Sequence, residues 1–340
     1  MSWQKTVIND SAAFKGVFKM KTRICGTGSA LPKRKVTNDD LSKILDTSDE
    51  WIRSRTGICA RHLAVEESLT SLAADAAKEA LDEAKINPQE LDLILAATLS
   101  ADHLVPPLSC ELQRELGAEN AAAFDINAAC SGFLFALQTA DVYIGSGQYQ
   151  KILVVGGEIL SRLMDWNDRS TCVLFGDGAG AAVVLPDETC GILGSVQGSD
   201  GARGEALLCE NRKNNNPYIS NGTGLSYVSM NGQEVYKFAV RTVPKAILEA
   251  IEKAGLAIEE IDLFVLHQAN IRIIESVSKR LKVPMEKFPT NLENCGNISA
   301  GSVPILLDHI NKKGMLHKGD HIVLAGFGAG LTWGASVLTW

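Results

Sequence analysis

The sequence predicts an α/β protein built from two tandem copies of one half-molecule. Three observations carry this. Segments with helical spacing alternate with short apolar runs of strand length, which implies parallel or mixed sheets covered by helices. Residues 79–98 align without gaps on 249–268, 124–132 on 294–302 and 151–156 on 321–326, all at one offset of 170. With 340 residues, 46% of them hydrophobic, the chain is large enough for a core shared by two fused halves. The predicted organisation is an N-terminal extension over 1–22, a first half over 23–190 and a second over 191–340.

In chain order, Arg23–Pro32 reads as a strand leading into a Gly-rich turn. Thr37–Ile44 opens a helix, with Thr37 or Asn38 as its N-cap. Leu72–Lys85 is helical, and Leu91–Thr98 is a buried strand. Ala121–Asn127 reads as another buried strand, and from Ser131 the apolar residues Phe133, Leu134, Ala136, Leu137 and Ala140 mark a helix. Phe175–Val184, FGDGAGAAVV, lacks the Lys-Ser/Thr of a phosphate-binding loop and reads as a Gly-rich turn feeding a strand. Leu207–Val228 is polar and loop-like and receives no assignment. Lys245–Ala254 is a helix and Ile261–Leu266 a strand.

Net charge is -7 with both signs mixed, unlike the basic face of a nucleic-acid-binding protein. No apolar run is long enough to span a membrane, and the N-terminus lacks the apolar core of a signal peptide. The cysteines at 25, 59, 110, 130, 172, 190, 209 and 295 show no C-x-x-C spacing, so no zinc site is expected. They read as reduced thiols of a cytoplasmic protein.

Cys130 stands where a strand gives way to a helix. Unpaired N–H groups at the helix start would favour thiolate, the nucleophilic form. The small residues Ala128, Ala129, Ser131 and Gly132 would let a thioester approach. Position alone leaves a second reading open: a buried cysteine acting as a small hydrophobe. In the second half, His267 follows a strand end directly, and Asn297 precedes the Ser/Ala/Gly-rich helix start ISAGSVPILL. Ligands of such sheets bind beyond the strand C-terminal ends. The halves have diverged there, since Cys130 aligns with Ala300 and His267 with Ala97. One active site shared by two copies would show this asymmetry.

Cys130 is suited to taking an acyl group from a thioester. His267 and Asn297 would each donate a hydrogen bond to a thioester carbonyl that becomes negative as a neighbouring carboxylate leaves as carbon dioxide. For that His267 has to be neutral. Backbone N–H groups of Cys130 and of Ala329, in the small-residue turn Phe327–Gly330, would form the oxyanion hole for the acyl-enzyme. Singly, a structural histidine and a turn asparagine are the simpler readings; together, on matched positions of a duplicated scaffold, they favour function.

NAACSG (127–132), HQANIR (267–272), GNISAGSVP (296–304), FGDGAGAA (175–182), FGAGLTWGA (327–335) and DEWIRSRTGICARH (49–62) together resemble the β-ketoacyl-[acyl-carrier-protein] synthase III family, over about Arg23–Trp340. The resemblance implies a thiolase fold, a duplicated five-layered αβαβα architecture with pseudo-twofold halves, and a homodimer. It implies acyl transfer from a short acyl-CoA, a substrate, to Cys130 with no cofactor. Decarboxylative condensation with malonyl-[acyl-carrier-protein] would follow, giving a 3-oxoacyl-[acyl-carrier-protein] at the start of fatty acid synthesis. It further implies CoA contacts at Thr47, Trp51, Arg55, Arg169 and Asn270, and carrier-protein contacts at Gln268, Ala269, Asn270, Ile271 and Arg272. Val105 and Phe175 would line the primer pocket. Ala329 stands where the family commonly has Gly, and Val105 where some members have Phe. Three alternatives remain at this point: a condensing enzyme of specialised metabolism with another primer or acceptor, a type III polyketide synthase, and a non-catalytic partner subunit. HQANIR, which points to a carrier protein, argues against the second. The joint presence of Cys130, His267 and Asn297 argues against the third.

Overall fold

The structure of the protein is a computed structural model, which describes residues 20–211, 213–214, 217–218 and 226–340. The first half of the chain forms β1 (Lys21–Ala30), β2 (Lys35–Thr37), α1 (Asn38–Ser42), α2 (Asp49–Thr56), β3 (Ala60–His62), α3 (Leu69–Ala84), β4 (Leu93–Ala97), α4 (Leu108–Leu116), β5 (Ala122–Ile126), α5 (Gly132–Ser146), β6 (Ile152–Ile159) and β7 (Asp177–Asp187). The second forms β8 (Gly191–Ser199), β9 (Leu207–Leu208), β10 (Ser229–Met230), α6 (Gly232–Ala254), β11 (Leu263–Leu266), α7 (Ile271–Leu281), α8 (Leu292–Cys295), α9 (Ser302–Lys312), β12 (His321–Gly328) and β13 (Thr332–Thr339).

Local chemistry sets the boundaries. Thr37 caps α1 by accepting from Asp40 N while the Asp40 carboxylate accepts from Thr37 N, a reciprocal box. Ser48 caps α2 and Ser68 caps α3. α2, α4, α5 and α6 each end at a left-handed glycine, respectively Gly57, Gly117, Gly147 and Gly255.

The first half contributes a five-stranded sheet, β1-β7-β6-β4-β5, and the second a four-stranded one, β11-β12-β13-β8; β2 with β3 and β9 with β10 form separate two-stranded ribbons. β4 runs parallel to β5 and β6, as β11 does to β12. α3 and α4 cover the outer face of the first sheet, α5 and α9 lie between the sheets, and α6 and α7 cover the second. Three apolar clusters fill the spaces. Leu72, Leu112 and Val183 pack between α3, α4 and the first sheet; Phe133, Leu137, Val154 and Leu324 pack between the sheets; Phe238, Ile247, Phe264 and Val337 pack beneath α6 and α7. This is the five-layered αβαβα thiolase fold. β1 matches β8, β4 matches β11 and β6 matches β12 at the offset of 170. The fifth strand breaks the symmetry: residues equivalent to β5 form α8 instead. Among the described residues, no helix is long and apolar enough to cross a membrane.

Four expectations need correction. β1 contains Gly26 and Gly28 rather than ending in a Gly-rich turn. A Cβ on either glycine would lie 2.2 or 2.1 Å from the carbonyl oxygens of Ala80 and Ala76, so both serve the close approach of α3. Likewise Asp177–Ala182 is strand, and Gly180 admits the start of α9, where a Cβ would meet Ile305 N at 2.7 Å. β5 is an exposed sheet edge, not a buried strand. The extension expected over 1–22 lies outside the described residues as far as 19, and Lys21 and Thr22 already belong to β1.

Candidate active site

The two helices between the sheets begin in matching turns. Ala129–Ser131 precedes α5 and Ser299–Gly301 precedes α9. In each, the asparagine two residues upstream accepts the turn's first N–H: Asn127 Oδ1 from Ala129 at 3.2 Å, Asn297 Oδ1 from Ser299 at 2.8 Å. The first turn presents Cys130. It is fastened to β13 by the Thr332 hydroxyl, which donates to Ala128 O at 3.1 Å and shares a 2.6 Å bond with the Ser131 hydroxyl. Gly328, the last residue of β12, runs against this turn, and a Cβ there would stand 2.6 Å from Cys130 N.

Cys130, His267 and Asn297 line one cavity of about 250 Å³. Its walls are mostly apolar, including Val173, Phe175, Leu207, Val235, Ile273 and Phe327. His267 is buried with both ring nitrogens unpartnered, and its ring packs edge-on to Phe327 at 5.5 Å. Burial lowers its pKa to about 3, so the imidazole is neutral and offers one N–H and one lone pair. The Asn297 amide oxygen is committed to Ser299 N–H, and among the described residues Nδ2 has no partner and remains a donor. The sequence expectation for Cys130 is half met. Its placement at a helix start is as read, but burial pushes the resting thiol up to about 12 instead of lowering it. The neighbouring Ser299 side chain and the Cys130 backbone N–H oppose that rise, and the Glu158 carboxylate adds to it.

Two guanidinium groups lie over the Trp51 ring, Arg55 at 4.7 Å and Arg169 at 5.4 Å from its centre. Trp51, Arg55 and Asn270 line the cavity itself. Arg169 stands beside it, bonded to the backbone oxygen and the carboxylate of Asp46. Thr47 follows Asp46 with its hydroxyl buried and unpartnered. Asn270 is already employed, since Oδ1 accepts from Arg272 N at 2.9 Å to cap α7 and Nδ2 donates to Arg55 O at 3.1 Å. Arg272 is exposed and donates to Ser54 O, whereas Ala269 and Ile271 are half-buried.

Two expected contacts fall elsewhere. Gln268 is 1% exposed; it donates to Leu266 O and accepts from Asn291 N, so it shapes the loop from within and has no surface for a carrier protein. Val105 is 82% exposed, in the loop before α4, and does not line the cavity of its own chain. Phe175 does line it, and its backbone bridges to that of Asn297. Arg61, Glu158 and Ser299 escaped the sequence reading. Arg61 is fully buried and donates to Val36 O, Asn38 Oδ1 and Val173 O, holding the segment that leads to Phe175. Glu158 is a charge closing an otherwise apolar strand, and Ser299 sits opposite Ala129 in the repeat; both signals were present in the sequence.

Comparison with known proteins identifies the family. The family models described as 3-oxoacyl-[acyl-carrier-protein] synthase III and its C-terminal region match residues 124–201 and 251–340. A β-ketoacyl-[acyl-carrier-protein] synthase III of Clostridium acetobutylicum is 50% identical over 318 residues, covering 93% of this chain and 98% of the relative. The crystal structure of 3-oxoacyl-[acyl-carrier-protein] synthase III from Aquifex aeolicus superposes with a TM-score of 0.89 at 47% identity, covering 94% of this chain and all of that one. A priming β-ketosynthase of the R1128 polyketide biosynthetic pathway has the same TM-score, 0.89, at 37% identity, over 95% of this chain and 97% of its own. The chain belongs to the β-ketoacyl-[acyl-carrier-protein] synthase III family of condensing acyltransferases.

Proposed function

We infer that the protein condenses a short acyl-CoA with malonyl-[acyl-carrier-protein], releasing carbon dioxide and forming a 3-oxoacyl-[acyl-carrier-protein], as the initiating step of fatty acid synthesis. The observation that carries this is the convergence of Cys130, His267 and Asn297 on one apolar-walled cavity.

In the first half-reaction the Cys130 sulfur attacks the acyl-CoA carbonyl. The C–S bond to CoA breaks, CoA leaves as a thiol carrying the Cys130 proton, and an acyl-Cys130 thioester remains. Backbone N–H groups of Cys130 and Ala329 stabilise the tetrahedral oxyanion; the contact of Gly328 with the Cys130 turn supports this pairing. In the second, the malonyl carboxylate departs as carbon dioxide and leaves an enolate on the carrier thioester. His267 N–H and Asn297 Nδ2 hold its oxygen, and a neutral imidazole suits this because it donates without delivering a proton. The enolate carbon attacks the acyl carbon, and the Cys130 sulfur leaves and takes up a proton. No resident cofactor enters either half.

Trp51 with Arg55 and Arg169 suits the adenine and phosphates of CoA, since aromatic faces stack on bases and guanidinium groups bind phosphate. Thr47 and Asn270 are the further CoA contacts of this reading, and Phe175 a wall of the primer pocket. Exposed Arg272 at the start of α7, with Lys279 and Arg280 at its end, suits an acidic carrier protein. Two chains would pair across the open edge of β5, and the eight free thiols suit a reducing cytoplasm.

The test is intact-protein mass spectrometry after mixing with a panel of acyl-CoAs. One acyl adduct is expected, absent in Cys130→Ala. No adduct from any short acyl-CoA, or one that survives Cys130→Ala, overturns the reading. Likeness to the R1128 priming ketosynthase supports a second reading, a priming step of specialised metabolism; a preference in the same panel for primers longer than acetyl would select it.

A further inference from the structure

The hairpin that joins β12 to β13 runs against the Cys130 turn. Gly328 and Thr332 pair across it, and Ala329, Gly330 and Leu331 form its tip. On one side the main chain of Asp200 holds the tip, donating to Leu331 O at 2.7 Å and accepting from Leu331 N at 3.0 Å. On the other side the Thr332 hydroxyl meets three oxygens: Ser131 Oγ at 2.6 Å, Ala329 O at 3.0 Å and Ala128 O at 3.1 Å. One of these lies on the tip and two flank Cys130 in the turn.

Counting protons orders this cluster. Ser131 and Thr332 carry one hydroxyl proton each. If Thr332 donates to Ser131, the Ser131 proton goes to Ala128 O at 3.1 Å, and Ala329 O has no partner among the described residues. If Ser131 donates to Thr332, the Thr332 proton is shared between Ala128 O and Ala329 O. That three-centre bond serves both carbonyls and joins the tip to the turn.

The repeat shows that a turn of this kind forms without either hydroxyl. The turn before α9 has the same backbone, φ +47° at Ser299 as at Ala129. The residue aligned with Ser131 there is Gly301. Thr332 pairs with Gly328, and Glu158, the counterpart of Gly328, pairs with Gly178. Glycines therefore stand at both places. The hydroxyl pair belongs to the turn that carries the nucleophile.

We propose that Thr332 is a positioning residue for acyl transfer: its hydroxyl ties Ala329 to the Cys130 turn and so fixes the spacing of the two backbone N–H groups that hold the oxyanion.

Ala329 follows the last residue of β12. Its N–H is aimed by the strand ladder before it and by the bond to its own carbonyl after it. Donors held in place before the charge develops need no reorganisation when it does. Without the Thr332 hydroxyl the tip keeps its Asp200 bonds but loses its tie to the turn, and the two donors drift apart.

The inference rests on the oxyanion hole of the proposed reaction, but its test needs no CoA, so the two fail separately. With p-nitrophenyl acetate the Cys130 sulfur attacks the ester carbonyl, p-nitrophenolate leaves and an S-acetyl group remains. That step builds an oxyanion. Iodoacetamide loses iodide from a saturated carbon as the C–S bond forms, and no oxyanion arises there. Both rates at Cys130 are followed in the whole protein by peptide mass spectrometry. Thr332→Val keeps the shape and removes the hydroxyl; acetylation should slow at least about tenfold, with alkylation unchanged. Thr332→Ser returns the hydroxyl and should restore acetylation. Should Thr332→Val fail to fold, Thr332→Ala should give the same split. Native acetylation in Thr332→Val, both rates falling together, or Thr332→Ser as slow as Thr332→Val overturns the proposal. So does a native protein that the ester does not acetylate at Cys130.

Discussion

Ala129 and Ser299 hold the same left-handed backbone conformation, φ +47° in each, 170 residues apart. Neither is a glycine, so each turn holds a conformation that costs roughly 1–2 kcal/mol at an L-residue. The strain persists because Asn127 and Asn297 clamp the turns from upstream and α5 and α9 from downstream. Both reactive ends of the site therefore rest on one structural device used twice.

Asn297 serves that device with its oxygen and the chemistry with its nitrogen, and Asn297→Asp separates the two. The carboxylate still accepts from Ser299 N–H, so the turn and Cys130 acylation should survive. The donor to the enolate is lost and a negative charge takes its place. Malonyl decarboxylation, measured as carbon dioxide release, should fall about 10²-fold or more, while the acyl adduct forms as in the native protein.

The three residues that meet in the cavity were legible because duplication gave two copies to compare. Cys130 against Ala300 and His267 against Ala97 stand out as divergences between equivalent strand ends. Strand assignments for β4 and β11 followed from their apolar runs. What escaped depended on neighbours distant in sequence. The glycines of β1 read as a turn because nothing local reports that α3 will press on them. β5 read as buried because the composition AAAFDI does not tell a sheet centre from its edge. Gln268 sits within a motif read as surface, yet the Asn291 amide and Leu266 carbonyl that bury it lie on both sides of α7. The Cys130 pKa turned on burial, which position at a helix start does not specify.

His267 predicts a specific acid sensitivity. In the unfolded chain it binds a proton near pH 6.5, but in the folded protein not until about pH 3. Between those values the unfolded state binds more protons, so stability falls as pH drops through the window. Glu158 acts oppositely. Its pKa rises from 4.5 to about 7, the folded state binds the extra proton, and stability is lost as pH rises through that range. Urea midpoints of the native protein therefore combine the two slopes. In His267→Gln the acid-side loss should shrink and the Glu158 slope emerge, with stability decreasing from about pH 5 to about pH 7. The same variant should acylate normally and lose decarboxylation; equal loss of both steps would assign His267 another role.

Gly328→Ala should damage the nucleophile without touching a reactive side chain. The added Cβ would stand 2.6 Å from Cys130 N and 3.1 Å from Ser131 N, both backbone atoms that cannot swing away. The turn has to shift, so acylation should slow at least about tenfold, the cost of a misplaced reacting group. Gly28→Ala is the control. It forces apart β1 and α3, on the far face of the first sheet, and should lower the urea midpoint while leaving acylation per folded molecule unchanged.

Trp51→Ala should act on substrate binding alone. Two guanidinium groups are parked on the indole, and its loss frees both and removes the stacking face. Such contacts are worth about 0.5–2 kcal/mol each. The KM for acyl-CoA should therefore rise roughly tenfold with kcat little changed, and an acyl-pantetheine lacking the nucleotide should show no such difference.

The edge of β5 carries the assembly prediction. β5 pairs with β4 on one side only, so its other side presents unpaired backbone groups. Phe124 on it is 36% exposed and contacts Tyr143 edge-to-face at 6.5 Å, while Val142 on the neighbouring α5 is 63% exposed. A strand edge flanked by apolar side chains is self-complementary about a twofold axis, where it continues the sheet into a second copy. The native protein should run as a dimer in light scattering at micromolar concentration. Phe124→Glu places like charges against each other across that axis and should shift the population to monomer. Because the turn that leads into α5 carries Cys130, the monomer should lose acylation along with assembly. A dimer that persists in Phe124→Glu would place the contact on another face.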